Sequence, residues 1–149
     1  MVKPQIYLLE DKGGTLANLY RFRKKAADLF GDYEPNLETF DQVFEYIKTR
    51  WDGKEKLVIA IDEFSYLAQM DDSIPSVFQL IVDEILKGSP FHLILCGSSI
   101  SMMEKSTLAY SSPLYGRRTG QMLIKPMQFK HINEFFPKLP SEDIVNIYG

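Results

Sequence analysis

The chain of 149 residues holds one cysteine, Cys96, so it forms no intramolecular disulfide and no multi-cysteine zinc site. A stapled secreted fold is excluded, and a reducing compartment, the cytoplasm, is the expected location. Positive charge is not in excess either. With 17 Lys and Arg against 20 Asp and Glu the formal charge is -3, too little cationic field to hold phosphate backbones at large, so any nucleic-acid contact must be local. The longest uncharged stretch, Gly88 to Met103, falls short of the ~20 residues a membrane helix needs and is broken by Gly, Pro and Ser. Near the N-terminus Lys3 is followed by an apolar run that stops at Leu9 before Glu10 and Asp11, which lacks the pattern of a secretory signal. The two histidines, His92 and His131, have no metal-ligand spacing. No repeat or low-complexity tract is present. What remains is 45% hydrophobic and 25% charged residues, the make-up of a globular chain long enough for one core that buries roughly 70% of its unfolded surface.

Three apolar runs read as buried strands: Ile6 to Leu9, Leu57 to Ile61 and Phe91 to Cys96, with Cys96 as core; Met122 to Lys125 reads as a fourth. Between them apolar residues recur at helical spacing. Leu19, Phe22, Ala26, Leu29 and Phe30 mark a helix from Thr15 that Gly31 stops, with Arg21 to Lys25 as its wet face rather than a nucleic-acid site. Phe40, Val43, Phe44, Ile47 and Trp51 mark a second, with Asn36 as N-cap and Gly53 as its end. Further helices are expected over Ser76 to Lys87, Ile100 to Thr107, His131 to Phe136 and Ser141 to Tyr148. Strands alternating with helices indicate an α/β fold, a three-layer α/β/α sandwich on a mostly parallel sheet. In such folds ligands bind beyond the carboxyl ends of the strands.

At those ends the sequence places its most suggestive polar residues. LVIAIDEF ends a buried strand on Asp62 and Glu63: Asp can hold the water shell of Mg²⁺ while Glu orients or deprotonates an attacking water. The same pair can simply solvate a strand end. Ser98, closing the next strand, can contact a γ-phosphate or that water, or Ser98-Ser99 can cap the helix near Ile100. Arg117 and Arg118 lie in a turn-rich loop and can neutralise phosphoryl charge, or sit in solvent as surface cations. Ser98 has no flanking glycines of a nucleophile elbow, so acyl transfer is disfavoured.

Taken in order and spacing, LVIAIDEFSYL, HLILCGSSISMMEK and PLYGRRTGQMLIKPMQFKHINEFF resemble the archaeal-type ATPase family of the STAND and AAA+-related P-loop NTPases, over nearly the whole chain. That resemblance implies ATP and Mg²⁺ as cofactors. It makes Asp62 and Glu63 Walker B acids, Asp62 meeting Mg²⁺ through water, Ser98 a sensor 1 residue, and Arg117 or Arg118 the arginine after the fourth strand. It also implies a helical lid, for which 141–149 would be the start, and a winged-helix region beyond. A phosphate cradle needs GxxxxGK with Ser or Thr, because backbone N–H groups wrap the phosphates; no such sequence is present. The chain, 1–149, is therefore expected to be a partial P-loop NTPase domain missing its first strand and its lid, inactive alone, with a complementing N-terminal segment or self-association supplying the rest. The competing expectation is a non-hydrolysing interaction module on the same fold; a helicase-like DExx box finds no partner motifs.

Overall fold

The computed structural model describes residues 4–53 and 55–148. Lys3, and Gly149 at the end of the expected lid segment, lie outside the described residues. The chain forms two compact units that divide after Arg118.

In the first unit β1 (Gln5–Leu9), β2 (Leu57–Asp62) and β3 (Phe91–Leu95) form a parallel sheet in the order β1-β2-β3. Register pairs Ile6 with Ile59 and Leu9 with Asp62 on one side, and Ile61 with Leu95 on the other. The strands alternate: Ile6, Leu8, Leu57, Ile59 and Ile61 are buried against the helices. The opposite face is partly exposed. Tyr7 is 49% exposed, Leu9 53% and Ile94 40%, although parallel sheets are ordinarily buried on both sides.

Helix α1 (Thr15–Phe30) ends where Gly31 adopts φ 68° and the Asp32 N–H turns back to the Ala27 carbonyl, a left-handed cap that glycine takes without steric cost. Helix α2 (Phe40–Arg50) starts at the first residue of its apolar stripe, later than an Asn36 cap would place it. Its N-cap is Thr39, whose hydroxyl accepts from the Gln42 N–H, and Asn36 lies outside; it ends at Trp51, before Gly53. Helix α3 (Phe64–Met70) is not among the expected elements, and α4 (Ile74–Leu80) begins with Pro75 in its first turn and widens into a π-helical stretch over Ile81–Leu86. These helices meet around Phe78, with Phe64 at 5.0 Å and Phe44 at 6.0 Å between ring centroids, edge on. Helix α5 (Ile100–Met103) follows β3 and continues as π-helical turns through Glu104–Leu108.

The second unit holds a 3₁₀ turn (Phe129–His131), α6 (Ile132–Phe135) and α7 (Ser141–Tyr148). The expected strand Met122 to Lys125 is corrected here: these residues carry no strand, and Met122, Leu123 and Ile124 are exposed. A short strand-forming run needs a neighbour to take its backbone hydrogen bonds, and no strand partner exists for it among the described residues.

Candidate active site

Parallel strands deliver their C-terminal ends to one edge of the sheet, and β2, in the middle, delivers Asp62 and Glu63 there. The chain then turns without a glycine. Glu63 takes φ 57°, the one positive φ among the described non-glycine residues, and α3 starts at once, its Phe64 N–H bonded to the Cys96 carbonyl at 3.0 Å. That turn holds the Glu63 side chain over the end of β3, where Oε2 accepts from the Ser98 N–H at 3.2 Å. Gly97 makes the approach possible. A Cβ there would lie 3.0 Å from both the Ser65 Oγ and the Met103 Sδ, so a side chain would require these neighbours to give by a few tenths of an ångström.

Among the described residues Asp62 is held by three donors. Its Oδ1 accepts from the Glu63 N–H at 2.9 Å and the Cys96 thiol at 3.3 Å, and its Oδ2 from the Tyr7 hydroxyl at 2.5 Å. The Tyr7 bond above all keeps its carboxyl below the usual carboxylate range, with the thiol and the Glu63 N–H adding to it against partial desolvation. Asp62 is therefore an anion at neutral pH. Burial, and then the bond to Asp62, push the Cys96 thiol up to about 11; it lies just past β3 and is half-buried, a donor to the acidic pair rather than a plain core residue.

Glu10, one residue past β1, is 2% exposed and neither carboxylate oxygen has a hydrogen-bond partner. Burial pushes it up to about 7, against the pull of Arg21. Its N–H is bonded to the Asp62 carbonyl at 2.9 Å, so this buried acid borders the same strand ends.

The two arginines separate. Arg117 donates to both oxygens of Asp83 at 2.8 and 2.9 Å and to the carbonyls of Pro113 and Tyr115, which clamps the loop onto the helix that carries Asp83. Arg118 is exposed and makes none of these contacts. Of the basic residues on α1, Arg21 pairs with Asp11 at 2.7 Å and Arg23 with Glu34 at 2.6 Å and the Leu37 carbonyl, so both are structural tethers. Sequence reasoning missed Tyr7 and Glu10 as neighbours of the acidic pair. Their proximity follows from register, since Leu9 pairs with Asp62, and no spacing in one chain states a register.

The donor set fits a hard cation bound through water: ionised carboxylate oxygens, partly exposed, with no sulfur or imidazole ligand required. Among the described residues no group of three or more His, Cys, Asp or Glu side chains is arranged to enclose a metal, and no helix is long and apolar enough to cross a membrane.

A sequence profile for an ATPase domain found predominantly in Archaea matches residues 9–149. An uncharacterized protein of Methanocaldococcus jannaschii is 42% identical over 152 residues, covering 99% of this chain and 31% of its own length. A second uncharacterized protein of that organism is 39% identical over 84 residues, covering 55% of this chain and 81% of its own. Among solved structures, a Walker-type ATPase of Pyrococcus abyssi superposes with a TM-score of 0.61 at 22% identity, over 95% of this chain and 50% of that one. The chain thus spans about a third of the first relative and half of the solved ATPase.

Proposed function

From its place in the archaeal ATPase domain family, to which this chain belongs, we propose that it carries the acidic half of an ATP-hydrolysing site in a STAND or AAA+-related switch protein. The observation that carries this reading is the meeting of Glu63 with the Ser98 amide, which joins the acidic pair of the middle strand to the polar end of its neighbour. Asp62 and Glu63 are the Walker B acids and Ser98 the sensor 1 residue. Mg²⁺, met by Asp62 through water, would supply charge neutralisation for the phosphates. Glu63 orients the attacking water and takes its proton, and Ser98 fixes where Glu63 rests. Of the two arginines, Arg118 is the one whose guanidinium is available to phosphoryl charge, since Arg117 is spent on Asp83 and two carbonyls.

The phosphate loop is the missing part, since no GxxxxGK occurs in the sequence. Two features of the first unit fit a complementing segment that brings it. Tyr7, Leu9 and Ile94 on one sheet face are exposed, and the edge of β3 away from β2 has no strand among the described residues. One added strand and one helix would bury both. Without them Asp62 and Glu63 have no fixed γ-phosphate to act on.

The test supplies a strand, phosphate loop and helix ahead of Gln5 and measures Mg²⁺-dependent phosphate release. Turnover should appear, and Glu63→Gln should keep nucleotide binding while slowing turnover by at least ~10². The absence of the phosphate loop also favours a second reading, a non-hydrolysing module on the same fold. Persistent inactivity of the complemented protein would select it.

A further inference from the structure

We infer that Tyr7 is a positioning residue for Asp62: its phenol, reaching diagonally across the sheet from β1, fixes the carboxylate so that one outward lone pair of Oδ2 is left for a metal-bound water. The inference rests on the acid-pair reading above and extends it to a residue that no motif includes.

Register places Tyr7 opposite Ala60, with Asp62 two residues further along β2 on the same face, which is a reach an aromatic side chain can make between neighbouring strands. The bond is 2.5 Å, the short distance expected of a hydroxyl donating to a charged oxygen. A carboxylate oxygen accepts about two hydrogen bonds. Among the described residues Oδ1 already takes two, from the Glu63 N–H and the Cys96 thiol, while Oδ2 takes one. The remaining capacity is on Oδ2, and the donor beside it sets its direction. The Tyr7 ring contributes little else: it is half exposed and stands outside the buried cluster, so loss of the hydroxyl alone leaves the core intact.

The test titrates the chain with Mg²⁺, and separately with hexaamminecobalt(III), an exchange-inert mimic of hydrated Mg²⁺ that binds only through its outer shell. The amide resonances of Glu63 and Ser98 report binding. The parent chain should show a saturable shift at these amides with both probes, and Asp62→Asn should show none. Tyr7→Phe should weaken both affinities about 10-fold or more, the size of effect found when the partner that orients a metal ligand is removed. Its melting temperature and the rest of its spectrum should be unchanged. If Tyr7→Phe titrates like the parent while Asp62→Asn does not bind, the role of Tyr7 is overturned and the acid-pair reading stands. Should Asp62→Asn titrate like the parent, the acid-pair reading itself fails; a parent that does not respond overturns the proposal, since no metal-bound water then rests on Oδ2. A weaker Tyr7→Phe with a lowered melting temperature or spectrum-wide changes would make Tyr7 structural and overturn the proposal.

Discussion

The Glu63 carboxylate and the Ser98 amide meet at 3.2 Å across the ends of two parallel strands, and the contact exists because Glu63 sits at φ 57°. A non-glycine residue in that region carries a steric cost of order 1 kcal/mol, relieved by glycine. Glu63→Gly should therefore raise unfolding stability by about 1 kcal/mol in urea melts. Ser98 is exposed, so water can take over its N–H. A stabilised variant would mark the turn as strained; a destabilised one would mean that the Ser98 bond outweighs the strain.

Glu10 gives a pH signature. Its carboxyl titrates at about 7 in the fold against an ordinary 4.5, so between those values the native state holds a proton that the unfolded chain has released. Its contribution is complete below about 4.5 and is lost as pH rises towards about 7, a change of order 3 kcal/mol. Glu10→Gln should flatten this slope, read from denaturant melts across that range, and should be the more stable protein above it. Parallel pH profiles for parent and variant would show that Glu10 finds partners in solution.

Cys96 should react slowly. With its thiol at about 11, only about one part in 10⁴ is thiolate at neutral pH. Alkylation should lag far behind a free thiol and accelerate in Asp62→Asn, which removes the acceptor and its charge. An unchanged rate in that variant would show that burial alone controls the thiol.

The arginines should part company. Arg117→Ala and Asp83→Ala should each speed hydrogen exchange at the Leu114 and Arg117 amides, because each removes the clamp on the loop. Arg118→Ala should leave exchange alone and, in the complemented protein, lower turnover by up to ~10³, the scale of a phosphate-directed arginine. The reverse pattern would exchange their roles.

Legibility in the sequence followed how local the determining physics is. LVIAI reads as a strand buried in a parallel sheet because five apolar residues in sequence say so, and its terminal Asp62-Glu63 could be placed at a strand end on that basis alone. Helix α3 went unread because its start is a left-handed turn at a glutamate, where neither Gly nor Pro signals a break. Met122 to Lys125 has strand composition but no strand neighbour among the described residues, and composition does not reveal a missing neighbour. The Tyr7 bond to Asp62 spans 55 residues and the Arg117 clamp 34, so both depend on how distant segments are brought together.

The most direct measurement of the central claim is calorimetry with Mg·ATP together with a phosphate-release assay, on the 149-residue chain alone and again with the phosphate-loop segment supplied. The account predicts weak binding and negligible release from the chain alone, since the acids lack a fixed phosphate, and Glu63-dependent release once the segment is present. Micromolar ATP affinity with turnover lost in Glu63→Gln, found in the chain alone, would contradict it and require a phosphate site within these residues.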